Sequence, residues 1–405
     1  MPLGIYISVP FCKTKCSYCN FASGVFSRER MQGYVDRVCA DIDSAPQLAE
    51  DAEGKFEGEA DSVYLGGGTP SLLAPQQLEQ IFAALHGTFD LRPRSEITVE
   101  CAPGTISDDM LSALVSRGVN RVSLGVQSFV DEEARSVGRL HTCEVALRDI
   151  ERLRSVGISN INVDLIAGLP HQTGESWQAS LNTAVEIGVP HVSVYMLEID
   201  EDSRLGSELL AGGARYHAHF VPEEETMVES YSHACERLQA AGIRQYEISN
   251  FAHSGMESTH NLKYWTRRSY FGFGADAHSM LLSVSNELAA VRLAWPDSLE
   301  TYVPPDGRAQ SLQIIPVDQA AAWEEAFFLG LRLNRGVNLR EITSQFGAEA
   351  NNHAREIIEE LLPSGLVEFE NDVLRLTPAG RLASNEVFER FLQPERAEAV
   401  SSKLA

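Results

Sequence analysis

Three cysteines, Cys12, Cys16 and Cys19, stand in a C-x3-C-x2-C loop directly after the apolar run from Leu3 to Val9. Thiolates are soft ligands that select zinc, copper(I) or iron-sulfur centres. A structural zinc site closes with four protein ligands, and the next two residues, Asn20 and Phe21, supply none. The spacing therefore suits a cubane cluster with one iron left open, and a zinc knuckle completed by Cys39 or a histidine is the alternative. Further along, Gly66, Gly67, Gly68, Thr69 and Pro70 lack the Lys-Ser/Thr ending of a phosphate loop. They offer instead a backbone that a ligand can approach closely. Glu100, Gln127, Arg139 and Asp164 fall near the ends of successive predicted strands. Brought together, they would make a polar pocket in which Asp164 suits the two hydroxyls of a ribose and Arg139 suits a carboxylate.

Six segments read as the strands that must position these groups: residues 3 to 9, 62 to 66, 96 to 101, 121 to 127, 161 to 167 and 191 to 198. Each is followed by an amphipathic helix or a helix-like loop, which is the repeat of a parallel sheet. A doubly wound sheet, covered on both faces, would be apolar on both. Here Val122, Leu124 and Val126 oppose Ser123, Gly125 and Gln127, and Ile161, Val163 and Leu165 oppose Asn162 and Asp164. The alternation predicts an α/β fold, an open partial (β/α)6 barrel with its apolar face under helices and its polar face turned into a hollow that holds a ligand; a closed eight-stranded barrel would fill that space with apolar side chains. Ser27, Thr142 and Pro222 open helices that carry inward stripes. Cys143 belongs to such a stripe and Cys39 and Cys235 lie beside one, so packing is the reading for all three.

The chain of 405 residues suits two domains. With 44% apolar and 22% charged residues and no long apolar stretch, the composition predicts a soluble protein. The first ten residues lack a basic segment ahead of their apolar run, and seven cysteines are an odd count, so a cytoplasmic protein with reduced thiols is expected. A net charge of −24 argues against nucleic acid as a partner. Pro296, Pro304, Pro305, Asp306 and Gly307 read as a linker. Beyond it, helices over 323 to 333, 338 to 346 and 352 to 362 and a hairpin turning at Asn371 and Asp372 form a smaller, helical, winged-helix-like C-terminal domain. Its 10 Lys and Arg against 16 Asp and Glu over residues 301 to 405 favour a covering or protein-contact role over DNA reading.

These motifs together resemble the radical S-adenosylmethionine superfamily, in the branch that holds the oxygen-independent coproporphyrinogen III oxidases and the related heme chaperones. The resemblance runs through the cysteine loop, GGGTP at 66 to 70, ECAPGT from Glu100, RVSLGVQSF at 121 to 129, GRLH at 138 to 141, DLIAGLPHQT at 164 to 173 and EEAFFLGLRL in the C-terminal part. It implies a [4Fe-4S] cluster on Cys12, Cys16 and Cys19, with S-adenosylmethionine on the open iron. By position it implies cofactor contacts at Tyr6, Tyr18, Gly67, Gly68, Thr69, Glu100, Gln127, Arg139 and Asp164. In the oxidase branch a further cysteine stands two residues after the third, where this chain has Phe21. His260 to Trp265, HNLKYW, is similar to the HNxxYW heme-binding signature of the chaperone branch. It implies heme as a third cofactor; an imidazole such as His260 can ligate heme iron, Tyr264 and Trp265 could pack on the porphyrin plane, and from charge alone Arg267 and Arg268 could meet propionates. The resemblance thus implies a barrel with cluster and cofactor sites over 1 to 220, an extension with the heme motif over 221 to 300, and the C-terminal domain over 301 to 405. The expected function is delivery of heme to acceptor proteins, respiratory enzymes among them. The alternatives are radical decarboxylation of a porphyrinogen propionate and a zinc-stabilised interaction protein.

Overall fold

The computed structural model describes residues 2 to 304 and 312 to 392. Strands β1 (Leu3–Val9), β2 (Glu59–Gly67), β3 (Asp90–Cys101), β4 (Arg121–Gln127), β5 (Asn160–Ala167) and β6 (His191–Met196) lie side by side in chain order, each parallel to the next. The six predicted βα units are therefore present, with β2 and β3 starting earlier than the alternation indicated because their first residues are mostly polar, Ala60 and Leu91 apart.

The alternation works as expected from one strand to the next. Val122, Leu124, Val126, Ile161, Val163 and Leu165 are fully buried in the main apolar core, against helices that include Arg28–Asp43 and Cys143–Ser155. Removing each such side chain from water contributes roughly 1.5–3 kcal/mol. Ser27 and Thr142 cap those two helices through their hydroxyls. Cys39, Cys143 and Cys235 pack in or against this core. The polar faces carry Tyr64, Glu100, Ser123, Asp164 and Ser193 into one cavity.

The sheet continues past both edges of the parallel six. β7 (Arg244–Gln245) and β8 (Asn250–Ala252) extend it beyond β6, and β9 (Tyr270–Phe273) runs parallel along β1. β10 (His278–Leu282), β11 (Ala290–Ala294) and β12 (Gln313–Val317) follow antiparallel, giving twelve strands among the described residues. Regular structure thus borders the expected linker on both sides. Residues 299 to 302 form a helical turn whose Tyr302 is fully buried and donates its hydroxyl to Asp41 Oδ2 at 2.5 Å, and residues 313 to 317 are an edge strand. Pro305, Asp306 and Gly307 lie outside the described residues.

The C-terminal part builds its own core around Trp323, Phe327, Ile358, Leu374 and Phe391. Helices Gln319–Gly330, Leu339–Phe346 and Ala348–Leu361 pack on a three-stranded antiparallel sheet of β13 (Val337–Asn338), β14 (Val367–Glu370) and β15 (Val373–Leu376). The β14–β15 hairpin turns at Asn371 and Asp372, both with positive φ (53° and 63°), as a two-residue turn of this hand requires. No helix among the described residues is long and apolar enough to cross a membrane.

Candidate functional site

The cavity at the carboxyl ends of the parallel strands has a volume of about 370 Å³ and is lined by all three loop cysteines. The cysteine loop is pinned at both ends by its backbone: Cys12 N–H donates to Gly24 O (2.8 Å), Gly24 N–H to Pro10 O (2.9 Å) and Ser17 N–H to Val137 O (3.1 Å). Each thiol has a different polar neighbour. Thr69 Oγ1 lies 3.9 Å from Cys12 Sγ, Arg139 Nη1 3.6 Å from Cys16 Sγ, and Ser23 Oγ 3.9 Å from Cys19 Sγ. Burial pushes the Cys12 thiol above its ordinary range, with the two neighbouring cysteines adding to it. Three soft donors gathered on one cavity wall gain stabilisation from a cationic centre that takes them as thiolates.

Among the described residues no three His, Cys, Asp or Glu side chains converge on one point as a single metal ion demands. A cubane distributes its cysteines over separate irons, so three thiols spread along a cavity wall fit a cluster better than one ion. Cys39, the sequence candidate for a fourth zinc ligand, is packed in the apolar core. All seven cysteines are free.

The glycine run brings β2 against the cysteine loop. Gly67 has φ +96° and its N–H donates to Glu100 Oε2 at 3.1 Å. A Cβ on Gly68 would sit 2.6 Å from Val9 O and 2.9 Å from Phe11 O, both immovable backbone atoms. Thr69 N–H donates to Phe11 O at 2.7 Å, which closes the contact. Glu100, at the end of β3, also accepts from the Tyr64 hydroxyl at 2.8 Å, and burial pushes its carboxyl up to about 7. Asp164 on β5 accepts from Asn162 Nδ2 (2.7 Å) and Ser123 Oγ (3.2 Å), and burial raises it too.

Gln127 ends β4 at a register irregularity with φ +68°, which turns the strand end into the cavity. Arg139 reaches over the same strand to the Gly125 carbonyl, where any side chain would collide with the guanidinium, and its Nε is buried without a partner. Tyr18 lines the cavity between Cys16 and Cys19, while Tyr6 stands behind the wall in a smaller adjoining pocket with Gly67 and Glu100. Burial raises both phenols. Phe21 is 62% exposed at the cavity mouth. The nine positions expected to contact a cofactor are thus brought to one cavity and its adjoining pocket.

The HNLKYW segment is placed differently. It forms the helix Thr259–Trp265, whose first N–H groups are gathered by one carboxylate: Glu96 accepts from Thr259 N–H (2.9 Å), His260 N–H (3.0 Å) and Ser258 Oγ (3.3 Å). His260 is fully buried, with Nδ1 3.0 Å from Ser62 Oγ on β2 and Nε2 2.8 Å from the Tyr264 hydroxyl. Burial, aided by the Lys263 and Arg121 charges, pushes its pKa down to about 3, so the ring is neutral and both nitrogens are spent. Asn261 of the same motif lines the cavity. Tyr264 packs edge-on against Tyr270 at 4.6 Å. Trp265 lies under the Arg332 guanidinium at 4.4 Å, and Arg267 pairs with Glu325 at 2.8 Å instead of facing solvent.

Sequence reasoning passed over Cys101 and Arg121, which also line the cavity. Arg121 opens β4 and is 2% exposed, a buried cation facing Glu100 and Asp164. The signal available was a charged residue at the start of an otherwise apolar and small-polar strand.

Residues 6–184 match the radical SAM superfamily, and residues 317–383 match the HemN C-terminal domain. The chain is 32% identical to the heme chaperone HemW of Lactococcus lactis over 96% of its own length and 97% of that protein. It is likewise 32% identical to HemW of Bacillus subtilis, over 96% and 98%. It is 30% identical to the mitochondrial radical S-adenosyl methionine domain-containing protein 1 of Bos taurus, over 93% and 84%. The fold is similar to that of coproporphyrinogen III oxidase (HemN) from Escherichia coli, with a TM-score of 0.79 at 23% identity over 96% of this chain and 90% of that one. Membership in the radical SAM superfamily implies a [4Fe-4S] cluster and S-adenosylmethionine, for which the three thiols and the polar cavity are a fitting donor set. The chain belongs to the heme chaperone HemW family of the radical SAM superfamily.

Proposed function

We propose that this protein is a heme chaperone, one that binds heme and passes it to acceptor proteins. The observation that supports this most is full-length likeness to HemW proteins combined with Phe21, which stands where the oxidase branch carries a further cysteine. In this reading Cys12, Cys16 and Cys19 hold the cluster. Arg139 and Gln127 orient the carboxylate end of S-adenosylmethionine, Glu100 with the Gly67–Gly68 backbone holds its amino end, and Asp164 receives the ribose. Such a cluster supplies an electron to the sulfonium when both are bound. The protein's part is to fix that geometry: Gly68 lets the two loops touch, and Arg139 keeps a positive charge beside Cys16.

The test is anaerobic reconstitution of the cluster followed by two assays, hemin titration and coproporphyrinogen turnover with S-adenosylmethionine and a reductant. Stoichiometric hemin binding, transfer to an apo-acceptor and no vinyl-group formation are expected. Vinyl formation without hemin binding would move the assignment to porphyrinogen oxidation.

A further inference from the structure

The grip on Glu100 comes from one neighbouring strand. Its Oε1 accepts from the Tyr64 hydroxyl at 2.8 Å and its Oε2 from Gly67 N–H at 3.1 Å, and both donors belong to β2. Each carboxylate oxygen keeps a further lone pair for a ligand. Tyr64 pairs in register with Thr98, two residues before Glu100 on β3, so its side chain enters the cavity beside the carboxylate and lines the same wall. The first glycine of the run leaves room for this contact. A Cβ on Gly66 would sit 2.8 Å from Glu100 Oε1 and 2.8 Å from Tyr64 Cε1.

The phenol is also held in place and held protonated. Its ring lies 5.4 Å from that of His260, tilted by 31°, and 6.1 Å from that of Tyr6. Burial, with the Glu100 charge beside it, raises Tyr64 well above its ordinary range, so the hydroxyl stays a donor. A donor fixed on a carboxylate oxygen favours the ionised form. Burial pushes Glu100 up to about 7, and the Tyr64 hydrogen bond leads the contacts that oppose this. The other titratable or charged groups facing Glu100 are Tyr6 on β1, Cys101 on β3, Arg121 on β4, Asp164 on β5, Tyr195 on β6 and Tyr264 on the helix Thr259–Trp265. Of these, Asp164 adds to the effect of burial and Arg121 opposes it, both through charge.

We propose that Tyr64 is a positioning residue of the S-adenosylmethionine site, the hydroxyl through which β2 orients the Glu100 carboxylate toward the amino end of the ligand. This rests on the assignment of Glu100 above. Tyr64 acts through Glu100, and the consequence is the pH range over which the ligand is held. Without the hydroxyl the ionised carboxyl loses a donor, Glu100 takes its proton at higher pH, and binding is lost earlier as pH falls. A side chain that only fills space would weaken binding equally at every pH.

The test measures S-adenosylmethionine affinity of the reconstituted full chain by calorimetry between about pH 6 and about pH 9, for the wild type, Tyr64→Phe, Glu100→Gln and the double variant. The ratio of wild-type to variant affinity at each pH cancels the titration of the ligand itself. Tyr64→Phe should bind about three- to tenfold more weakly near the acid end and within about twofold of wild type near the alkaline end, the pattern of a midpoint raised by about half to one unit. In the Glu100→Gln background, Tyr64→Phe should add no pH-dependent change. A readout without ligand is difference infrared spectroscopy of the cluster-free protein over the same range, with Glu100→Gln assigning the band. The Glu100 carboxyl should protonate at higher pH in Tyr64→Phe. The substitution removes one oxygen, and an unchanged far-UV circular dichroism spectrum is the control for folding. An affinity ratio that stays constant with pH, or a carboxyl band that does not move, overturns the proposal. Glu100→Gln with wild-type affinity and pH dependence overturns the assignment of Glu100 itself, a result distinct from either.

Discussion

His260→Ala separates a ligand from a lock without any heme being present. In the structure the imidazole joins Ser62 on β2 to Tyr264 on its own helix, and it is fully buried. Removing it strands the Ser62 and Tyr264 hydroxyls in a dry interior, at about 1–3 kcal/mol for each buried group left unpaired, and leaves a ring-sized void that adds to the loss. The sum is about 2–6 kcal/mol, which at the scaling for large domains lowers the melting temperature by roughly 5–15 °C. Because the helix also carries Lys263, paired with Asp61 at 2.6 Å, and Trp265 under Arg332, the loss should be concentrated where this helix meets β1, β2 and the C-terminal helices. The assay is thermal and urea unfolding of heme-free, anaerobically handled protein, with Tyr264→Phe and the double variant closing a cycle. A coupling energy near 1 kcal/mol is expected between the two side chains. An apo protein whose melting is unmoved by His260→Ala would refute the reasoning and return the residue to the role of a free ligand.

Four further outcomes follow from the same geometry. Cys16→Ser should abolish bound iron and acid-labile sulfide after reconstitution, measured by elemental and colorimetric assay, while far-UV circular dichroism stays that of the wild type. Gly68→Ala places a Cβ against Val9 O and Phe11 O; neither can move, so cluster content and S-adenosylmethionine binding should both fall at least about tenfold, read by iron analysis and calorimetry. Burial raises Glu100 to about 7, above its ordinary 4.5. The folded state therefore holds this proton more tightly than the unfolded chain does, stabilising the apo protein below about pH 4.5 and losing that contribution as pH rises through 7. A cationic ligand prefers the ionised carboxylate, so S-adenosylmethionine affinity should fall between about pH 8 and about pH 6, and Glu100→Gln should flatten that dependence. Finally, Glu325→Gln leaves Arg267 and Arg292 without the carboxylate they share at 2.8 and 2.6 Å and should cost about 3–5 kcal/mol, visible as earlier unfolding of the C-terminal part in hydrogen exchange.

Much of the site was legible because the barrel writes itself into local pattern. Alternation in β4 and β5 told which face of each strand carried Gln127 and Asp164, and the cysteine and glycine spacings marked the loops that close on them. The hairpin at Asn371 and Asp372 was equally local. The HNLKYW helix was not, since the surroundings of its residues depend on Ser62 and Glu96, 198 and 164 residues before His260 in the chain. A histidine followed by aromatics reads the same whether it faces iron or a serine. The strands from β7 to β12 were missed for a related reason. They are two to five residues long, too short for a period of two to show, and they exist because the edges of the parallel six offer unpaired backbone groups. Arg121 escaped notice because the cost of burying a cation is recovered only when Glu100 and Asp164 arrive from other strands.

The placement of the histidines bears on how a heme-handling protein can also carry a radical SAM site. Interior imidazoles such as His260 and His191 are kept neutral by burial and are committed to neighbours, Ser62 and Tyr264 for one, Asn162 and Tyr246 for the other. They brace the polar interior against the apolar shell, where an unpaired donor would be expensive. Ala218 is anchored in the apolar cluster against which Tyr18 of the cysteine loop packs.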